Sequence, residues 1–222
     1  MTKPIAPSLL AAAIVLMTAC APAPPPAATT NATPVPPSER ADLQPEPADA
    51  FLAALATHCG QAFAGRIVAN QPVPTTPDAF EGQELVMHVR GCEDPTRQLL
   101  VPFHVGDNHS RTWVLTRTDS GLRLKHDHRH EDGSEDVLTQ YGGDTATAGT
   151  AQRQEFPVDA DSVALFEREG SNASVTNTWA MEIEPGQRFL YELARPGGRM
   201  FQVEFDLTTP VDLPPTPWGY SD

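Results

Sequence analysis

Residues 121–133 read Gly121-Leu122-Arg123-Leu124-Lys125-His126-Asp127-His128-Arg129-His130-Glu131-Asp132-Gly133, and this stretch predicts a β-strand with an unusual inner face. Side chains of a strand point alternately to its two sides. One face therefore carries two leucines followed by three histidines, namely Leu122, Leu124, His126, His128 and His130. The other face carries Arg123, Lys125, Asp127 and Arg129, and we expect it to face solvent. The histidines then point into a core or a cavity, where packing alone does not require them.

The chain around this strand predicts a mainly β protein. Short extended runs cover 66–69, 84–90, 98–104, 112–118, 122–130, 137–141, 152–157, 163–168, 178–184, 188–194 and 200–207. Turn signals separate them at 119–121, 131–134, 142–144, 184–187 and 195–198. Such a meander must bury its apolar faces in a sandwich or a barrel. We expect an antiparallel, up-and-down β-barrel, because closure removes exposed edge strands. Its layout resembles the calycin barrels, and that likeness implies no function.

One helix precedes the strands. Apolar residues recur with helical spacing over 49–64, with Pro47 near the start and Gly65 at the stop, which predicts a short amphipathic helix. Cys59 lies in this segment and Cys92 lies further along the chain. We expect these two cysteines to form a disulfide, as is common in exported proteins.

The N-terminus predicts export. Met1-Thr2-Lys3 is followed by an apolar run at 9–17 that is too short to span a bilayer. The next residues, Leu16-Met17-Thr18-Ala19-Cys20, resemble the lipobox of bacterial lipoproteins. The resemblance implies that residues 1–19 are a signal peptide and that Cys20 receives a diacylglycerol anchor. It also implies a periplasm-facing protein held on a bacterial membrane, and we expect the outer membrane. An ordinary secretory signal is the alternative.

Composition divides the remainder into a tether and one domain. Residues 20–48 are rich in proline and alanine, which predicts an extended flexible tether after the lipidated cysteine. Residues 49–222 then form a single barrel domain that ends in a proline-rich tail. The net charge of the chain is −14. A field of that sign repels nucleic acid and favours cationic partners, or it simply keeps an exported protein soluble.

The histidine strand allows two kinds of site. Alternating histidines on one face of a strand could bind zinc, and we name His126, His128 and His130 as candidate ligands. Alternatively, these rings are hydrogen-bonded groups that line a ligand cavity, or they face solvent. His104 and His109 lie upstream and could join them.

The candidate ligand-binding residues are Trp113, Leu124, His126, His128, His130 and Tyr141. The first of these follows from register, because a tight turn at 119–121 brings Trp113 close to His126. Arg111 and Arg117 share the face of Trp113. One of them could be a buried guanidinium for a carboxylate ligand, or both could be solvated at the rim.

Three functions remain open at this point. The first is a membrane-tethered binding module that holds a small ligand or a metal ion, and it predicts a sizeable pocket around the histidines. The second is an interaction protein, similar in layout to acidic barrel lipoproteins that inhibit a cationic enzyme, and it predicts a filled core with an acidic patch. The third is a metal-dependent enzyme, for which Glu131 or Asp132 could act as the base. We rank them in this order.

Overall fold

The computed structural model describes residues 45–76 and 78–221. The expected signal peptide, the lipidated Cys20 and nearly all of the tether lie outside these residues. Within them the helices are α1 (Pro47–Ala56) and α2 (Ala160–Arg168), followed by a short 3-10 turn at Asn172–Ser174. The strands are β1 (Ala62–Gln71), β2 (Leu85–His88), β3 (Gln98–Val105), β4 (Asn108–Thr118), β5 (Gly121–His128), β6 (Tyr141–Asp144), β7 (Arg153–Pro157), β8 (Thr178–Glu184), β9 (Arg188–Arg195) and β10 (Arg199–Asp206).

The ten strands form one antiparallel sheet in the order β6-β5-β4-β3-β2-β1-β10-β9-β8-β7. Each strand pairs with its neighbours in sequence except that β6 does not pair with β7, and β1 also pairs with β10. Because the first and last strands of the meander pair with each other, the sheet is curved into a nearly closed barrel. The predicted antiparallel meander and barrel are therefore confirmed, with the remaining gap between β6 and β7.

The start of α2 bridges that gap. The Asp159 amide donates to the Gly142 carbonyl at 2.9 Å, and the Gly142 amide donates to the Ser162 hydroxyl at 2.8 Å. Lys125 of β5 reaches across to Asp159 at 2.6 Å. A Cβ on Gly143 would lie 1.8 Å from the Pro157 carbonyl oxygen, so only glycine permits this approach of β6 to β7.

Helix α1 covers one end of the barrel. Its buried residues are Ala48, Phe51, Leu52 and Leu55. Arg117, at the end of β4, pairs with Asp49 at 2.5 Å, and the amide of Gly186, between β8 and β9, donates to His58 at 3.2 Å. The turns on this side are those that join β4 to β5 and β8 to β9. The opposite end of the barrel is therefore the one left for a site.

The helix predicted over 49–64 is shorter in the structure. It ends at Ala56, and Ala62 and Phe63 are already the first residues of β1. Gly60, with φ of 77°, lets the chain reverse before β1 begins. The predicted disulfide between Cys59 and Cys92 is confirmed, with Cα atoms 6.1 Å apart, and it fastens this turn to the loop after β2.

Two strand predictions and one turn prediction were wrong. Residues 163–168 belong to α2, because Asp159 caps its first turn by accepting from the Ser162 amide at 2.8 Å. Residues 142–144, predicted as a turn, belong to β6. Most of 137–141 is a loop, and only Tyr141 of that range enters a strand.

The prediction that Asp127 faces solvent was also wrong. It lies on β5 and is only 2% exposed. Its carboxylate accepts from Arg129 at 2.9 Å and from the Tyr220 hydroxyl at 2.5 Å. Tyr220 lies in the C-terminal tail, whose Trp218 amide donates to the His109 carbonyl at 3.0 Å. The tail packs along the outside of β4 and β5 and buries this carboxylate.

Candidate functional site

A cavity of about 440 Å³ occupies the barrel end opposite α1. Its walls include the C-terminal ends of β3, β5 and β9 and the N-terminal ends of β4, β6, β8 and β10. An antiparallel barrel brings these ends to one rim, which explains why distant parts of the chain meet here. Sites for small organic ligands have volumes of roughly 300–1,000 Å³, so the cavity is large enough for one.

Eight aromatic side chains in the described part of the chain line the cavity. They are Phe80, Phe103, Trp113, Tyr141, Phe166, Trp179, Tyr191 and Phe201. Trp113 stacks on Tyr191 with ring centroids 4.3 Å apart, and on Phe103 at 5.0 Å. Such stacks hold their rings in fixed orientations and make this part of the wall rigid.

His126 lies at the floor of the cavity and both its ring nitrogens have partners. Nδ1 is 3.1 Å from the Tyr141 carbonyl oxygen, and Nε2 is 2.9 Å from the Tyr191 hydroxyl. A carbonyl can only accept, so Nδ1 carries the proton and Nε2 accepts from Tyr191. Burial lowers the pKa of His126 to about 3. The ring is therefore neutral at pH 7 and its tautomer is set by its neighbours.

His128 lies nearer the rim. Its Nε2 is 3.4 Å from the Tyr141 hydroxyl, and its backbone amide donates to Thr139 at 2.8 Å. Burial and the nearby Arg111 lower the pKa of His128 to about 4. Burial also raises the pKa of Tyr141 to about 12. Both groups are thus neutral hydrogen-bonding groups facing the cavity.

Three arginines line the cavity, and an asparagine side chain holds each of them. Arg111 donates to Asn108 at 2.9 Å and Arg195 donates to Asn177 at 2.5 Å. Arg199 donates to Asn70 at 2.6 Å and to the Gln71 carbonyl. An amide oxygen positions a guanidinium without neutralising it.

The charge of the cavity is opposite to that of the chain. Among its described lining residues the one carboxylate is Asp136, which accepts from the Leu138 amide at 2.8 Å. Asp78 and Glu81 lie behind Asn70 and accept from its amide, beyond ion-pair distance of Arg199. Three guanidiniums and one carboxylate leave the cavity positive within a protein of net charge −14.

Four of the six candidate ligand-binding residues line the cavity, namely Trp113, His126, His128 and Tyr141. Leu124 is fully buried in the core instead. His130 follows the end of β5, and its side chain is 57% exposed in the next turn. The inward direction expected of His130 was therefore wrong, because the strand ends at His128.

The three histidines do not assemble into a metal site. No group of three or more His, Cys, Asp or Glu side chains in residues 45–76 and 78–221 is placed to hold a metal ion. His130 lies 3.8 Å from Asp136, while His126 is bonded to Tyr141 and Tyr191. The zinc hypothesis for His126, His128 and His130 therefore has no geometric support in this part of the chain.

His104 and His109 form a separate pair. Their Nδ1 atoms are 2.8 Å apart, so one ring donates and the other accepts. Trp218 of the tail packs edge-on against His109, with centroids 6.3 Å apart. Burial, together with His109, lowers the pKa of His104 to about 3.

Several lining residues were not predicted. Trp179 and Tyr191 follow the inward alternation of β8 and β9, which could have identified them. Arg195 and Arg199 flank the turn at 195–198, whose proline and glycines drew attention to the turn alone. Of the two arginines considered, Arg111 lines the cavity, whereas Arg117 pairs with Asp49 at the other end of the barrel.

Fold and site together define an antiparallel β-barrel that is closed by a helix at one end and has a positively charged, aromatic cavity at the other. Comparison with protein-family models, curated proteins and solved structures finds no match to this chain. Neither α1 nor α2, the two α-helices in the described part of the chain, is long and apolar enough to cross a membrane.

Proposed function

We propose that this protein is a lipid-anchored, periplasm-facing binding protein whose barrel holds a small organic ligand. The observation that carries the proposal is the 440 Å³ cavity at one end of an otherwise packed barrel. The resemblance of Leu16-Met17-Thr18-Ala19-Cys20 to a lipobox supports the anchor.

The distribution of packing supports a binding role. Below the cavity, Leu122, Leu124 and Phe189 are fully buried, as in an ordinary core. The cavity opens at the rim above this core, and its lining combines aromatic rings with Arg111, Arg195 and Arg199. An apolar, aromatic wall with a few fixed polar groups is typical of ligand sites.

The same observation separates the proposal from its alternatives. An inhibitor that acts through an acidic surface predicts a filled core, whereas this barrel contains a cavity. A metal-dependent enzyme needs a set of ligands, and none is assembled among the described residues. Binding of an organic molecule is the function that the cavity supports best.

Two fluorescent probes that share the same aromatic ring system test the binding role. N-phenylnaphthylamine is neutral, and anilinonaphthalene sulfonate carries the same rings with an added anion. The full-length mature protein is purified in a nonionic detergent, and energy transfer from its tryptophans distinguishes bound probe from probe in micelles. We expect saturable binding of at least one probe. If neither probe binds, the proposal is overturned.

Matched variants locate the bound probe. Ser171 and Ser174 line the cavity, whereas Asn172 and Ala173 are exposed on the same 3-10 turn. Ser171→Phe/Ser174→Phe should fill part of the cavity and abolish binding. Asn172→Phe/Ala173→Phe should leave binding unchanged. Equal binding by both double variants would place the probe elsewhere and contradict the proposal.

The anchor is tested separately. Mass spectrometry of the N-terminal peptide should find a lipidated Cys20, and the protein should fractionate with the membrane. The Cys20→Ser variant should lose both properties. A mature N-terminus at another residue without lipid would favour an ordinary secretory signal.

A further inference from the structure

We propose that the cavity selects an organic anion, with an oxyanion head such as a carboxylate held by Arg111, Arg195 and Arg199 and an apolar body between the aromatic walls. This inference rests on the proposed binding function and names its ligand class. It is carried by three guanidiniums around one cavity with no carboxylate paired to them in the described chain.

The contrast with the other arginines makes this arrangement significant. Seven described arginines outside the cavity have a carboxylate partner within 4 Å: Arg66, Arg117, Arg123, Arg129, Arg153, Arg168 and Arg188. The chain has 29 acidic residues and 15 basic ones, so carboxylates are abundant. The three cavity arginines are nevertheless held by Asn108, Asn177 and Asn70.

Two of the guanidiniums pack on aromatic rings of the same cavity wall. The Cζ of Arg111 lies 5.3 Å from the Phe80 ring centroid, and that of Arg199 lies 5.6 Å from the Phe201 centroid. The Phe80 and Phe201 rings are themselves 5.1 Å apart. The two arginines therefore stack on one aromatic pair.

Arg195 completes the cluster. It is the strand partner of Arg199 in the pairing of β9 with β10. Burial, with Arg199 nearby, lowers the pKa of Arg195, and burial also lowers the pKa of Arg111. Burial is the main cause of both shifts, and for Arg111 it outweighs the opposing effect of Asp136. An oxyanion bound among the three would supply a counter-ion through charge-assisted, bidentate hydrogen bonds.

The rest of the cavity specifies the body of the ligand. Trp113 and Tyr191 stack at 4.3 Å, and Tyr141 and Trp179 have centroids 5.8 Å apart. These rings pack on each other, and the edges that they turn to the cavity are apolar and suit a hydrocarbon or aromatic body. The neutral His128 and the Tyr141 hydroxyl face the same space and could bond a polar substituent. Asp136, also in the lining, disfavours a second anionic group near His128.

The two probes separate this inference from the function on which it rests. We expect the anionic sulfonate to bind at least tenfold more tightly than neutral N-phenylnaphthylamine, which is the size of one charge-assisted hydrogen bond. Equal affinities would overturn the anion inference and leave the binding function standing. Absence of binding by both probes would overturn both.

Charge variants test the arginines themselves. Arg111→Met and Arg199→Met should each weaken sulfonate binding roughly tenfold more than they change binding of the neutral probe. Arg199→Lys should restore part of the affinity. Arg66→Met removes one positive charge outside the cavity, beside Glu204, and should change neither probe. An equal loss for both probes in the Arg111 and Arg199 variants would contradict the proposal.

Discussion

The Nε2 atom of His126 and the hydroxyl of Tyr191 lie 2.9 Å apart and join β5 to β9 across the interior of the barrel. The two strands are not neighbours in the sheet. The other nitrogen of the ring faces the Tyr141 carbonyl at 3.1 Å, which leaves Nε2 as an acceptor. One neutral histidine thus links three strands at the floor of the cavity.

Tyr191→Phe should lower the free energy of unfolding by about 1–3 kcal/mol, because it leaves the buried Nε2 of His126 without its donor. Tyr141→Phe is the matched control, since that hydroxyl is 3.4 Å from His128 and its loss should cost less. Urea unfolding followed by circular dichroism measures both. Equal costs would show that the hydrogen bond to His126 contributes nothing specific.

Acidification should destabilise the protein before most carboxylates titrate. His104 and His126 have folded-state pKa values of about 3, and His128 of about 4, because burial disfavours their charged forms. The unfolded chain protonates these rings below about pH 6.5. The stability that depends on these rings being neutral is therefore fully present above about pH 6.5 and is lost as the pH falls through about 4 for His128 and about 3 for His104 and His126.

Unfolding at several pH values measures this loss. Each ring contributes about 1.4 kcal/mol per pH unit, so three contribute up to ~4 kcal/mol per unit below about pH 6. His104→Asn should reduce that slope by about one third. A stability that stays constant from about pH 7 to about pH 5 would contradict the assignment of these rings as neutral.

Strand positions were predictable where alternation and turn residues agree. β8 covers Thr178–Glu184, as predicted, and β3 and β9 begin at the predicted residues and extend one residue further. Helix α2 was missed because Val163 to Phe166 is a short apolar run that also suits a strand. The helix is stabilised by the Asp159 cap and by the packing of Phe166 on Tyr141, with ring centroids 5.2 Å apart.

The site was predictable only where it depends on the alternation of side chains along a strand and on the pairing of adjacent strands. His126 and His128 face inward because side chains alternate along β5, and the hairpin places Trp113 opposite His126. The placement of Arg111 and Arg199 around one cavity depends instead on closure of the barrel, with β10 paired to β1. No local pattern in the sequence encodes that placement.

Gly143→Ala should destabilise the protein by more than ~3 kcal/mol, because the new Cβ would fall 1.8 Å from the Pro157 carbonyl oxygen and force β6 away from β7. Gly170→Ala is the comparison, since its Cβ would enter open space and only the positive φ of 73° is strained. That strain costs about 1 kcal/mol. Thermal unfolding of the two variants distinguishes them, and similar melting temperatures would show that the contact between β6 and β7 yields easily.

Tyr220→Phe should release the C-terminal tail. The Tyr220 hydroxyl donates to Asp127 at 2.5 Å, and the carboxylate is 2% exposed, so the loss of this donor should cost about 1–3 kcal/mol. Hydrogen exchange of the Trp218 amide, which is bonded to the His109 carbonyl, should accelerate in the variant. Leu213→Ala is the control, because this tail side chain is 61% exposed and its truncation should leave that exchange unchanged. If Tyr220→Phe also leaves the Trp218 amide protected, the tail is held by its backbone contacts, and the buried carboxylate is satisfied by Arg129 and Thr139 alone.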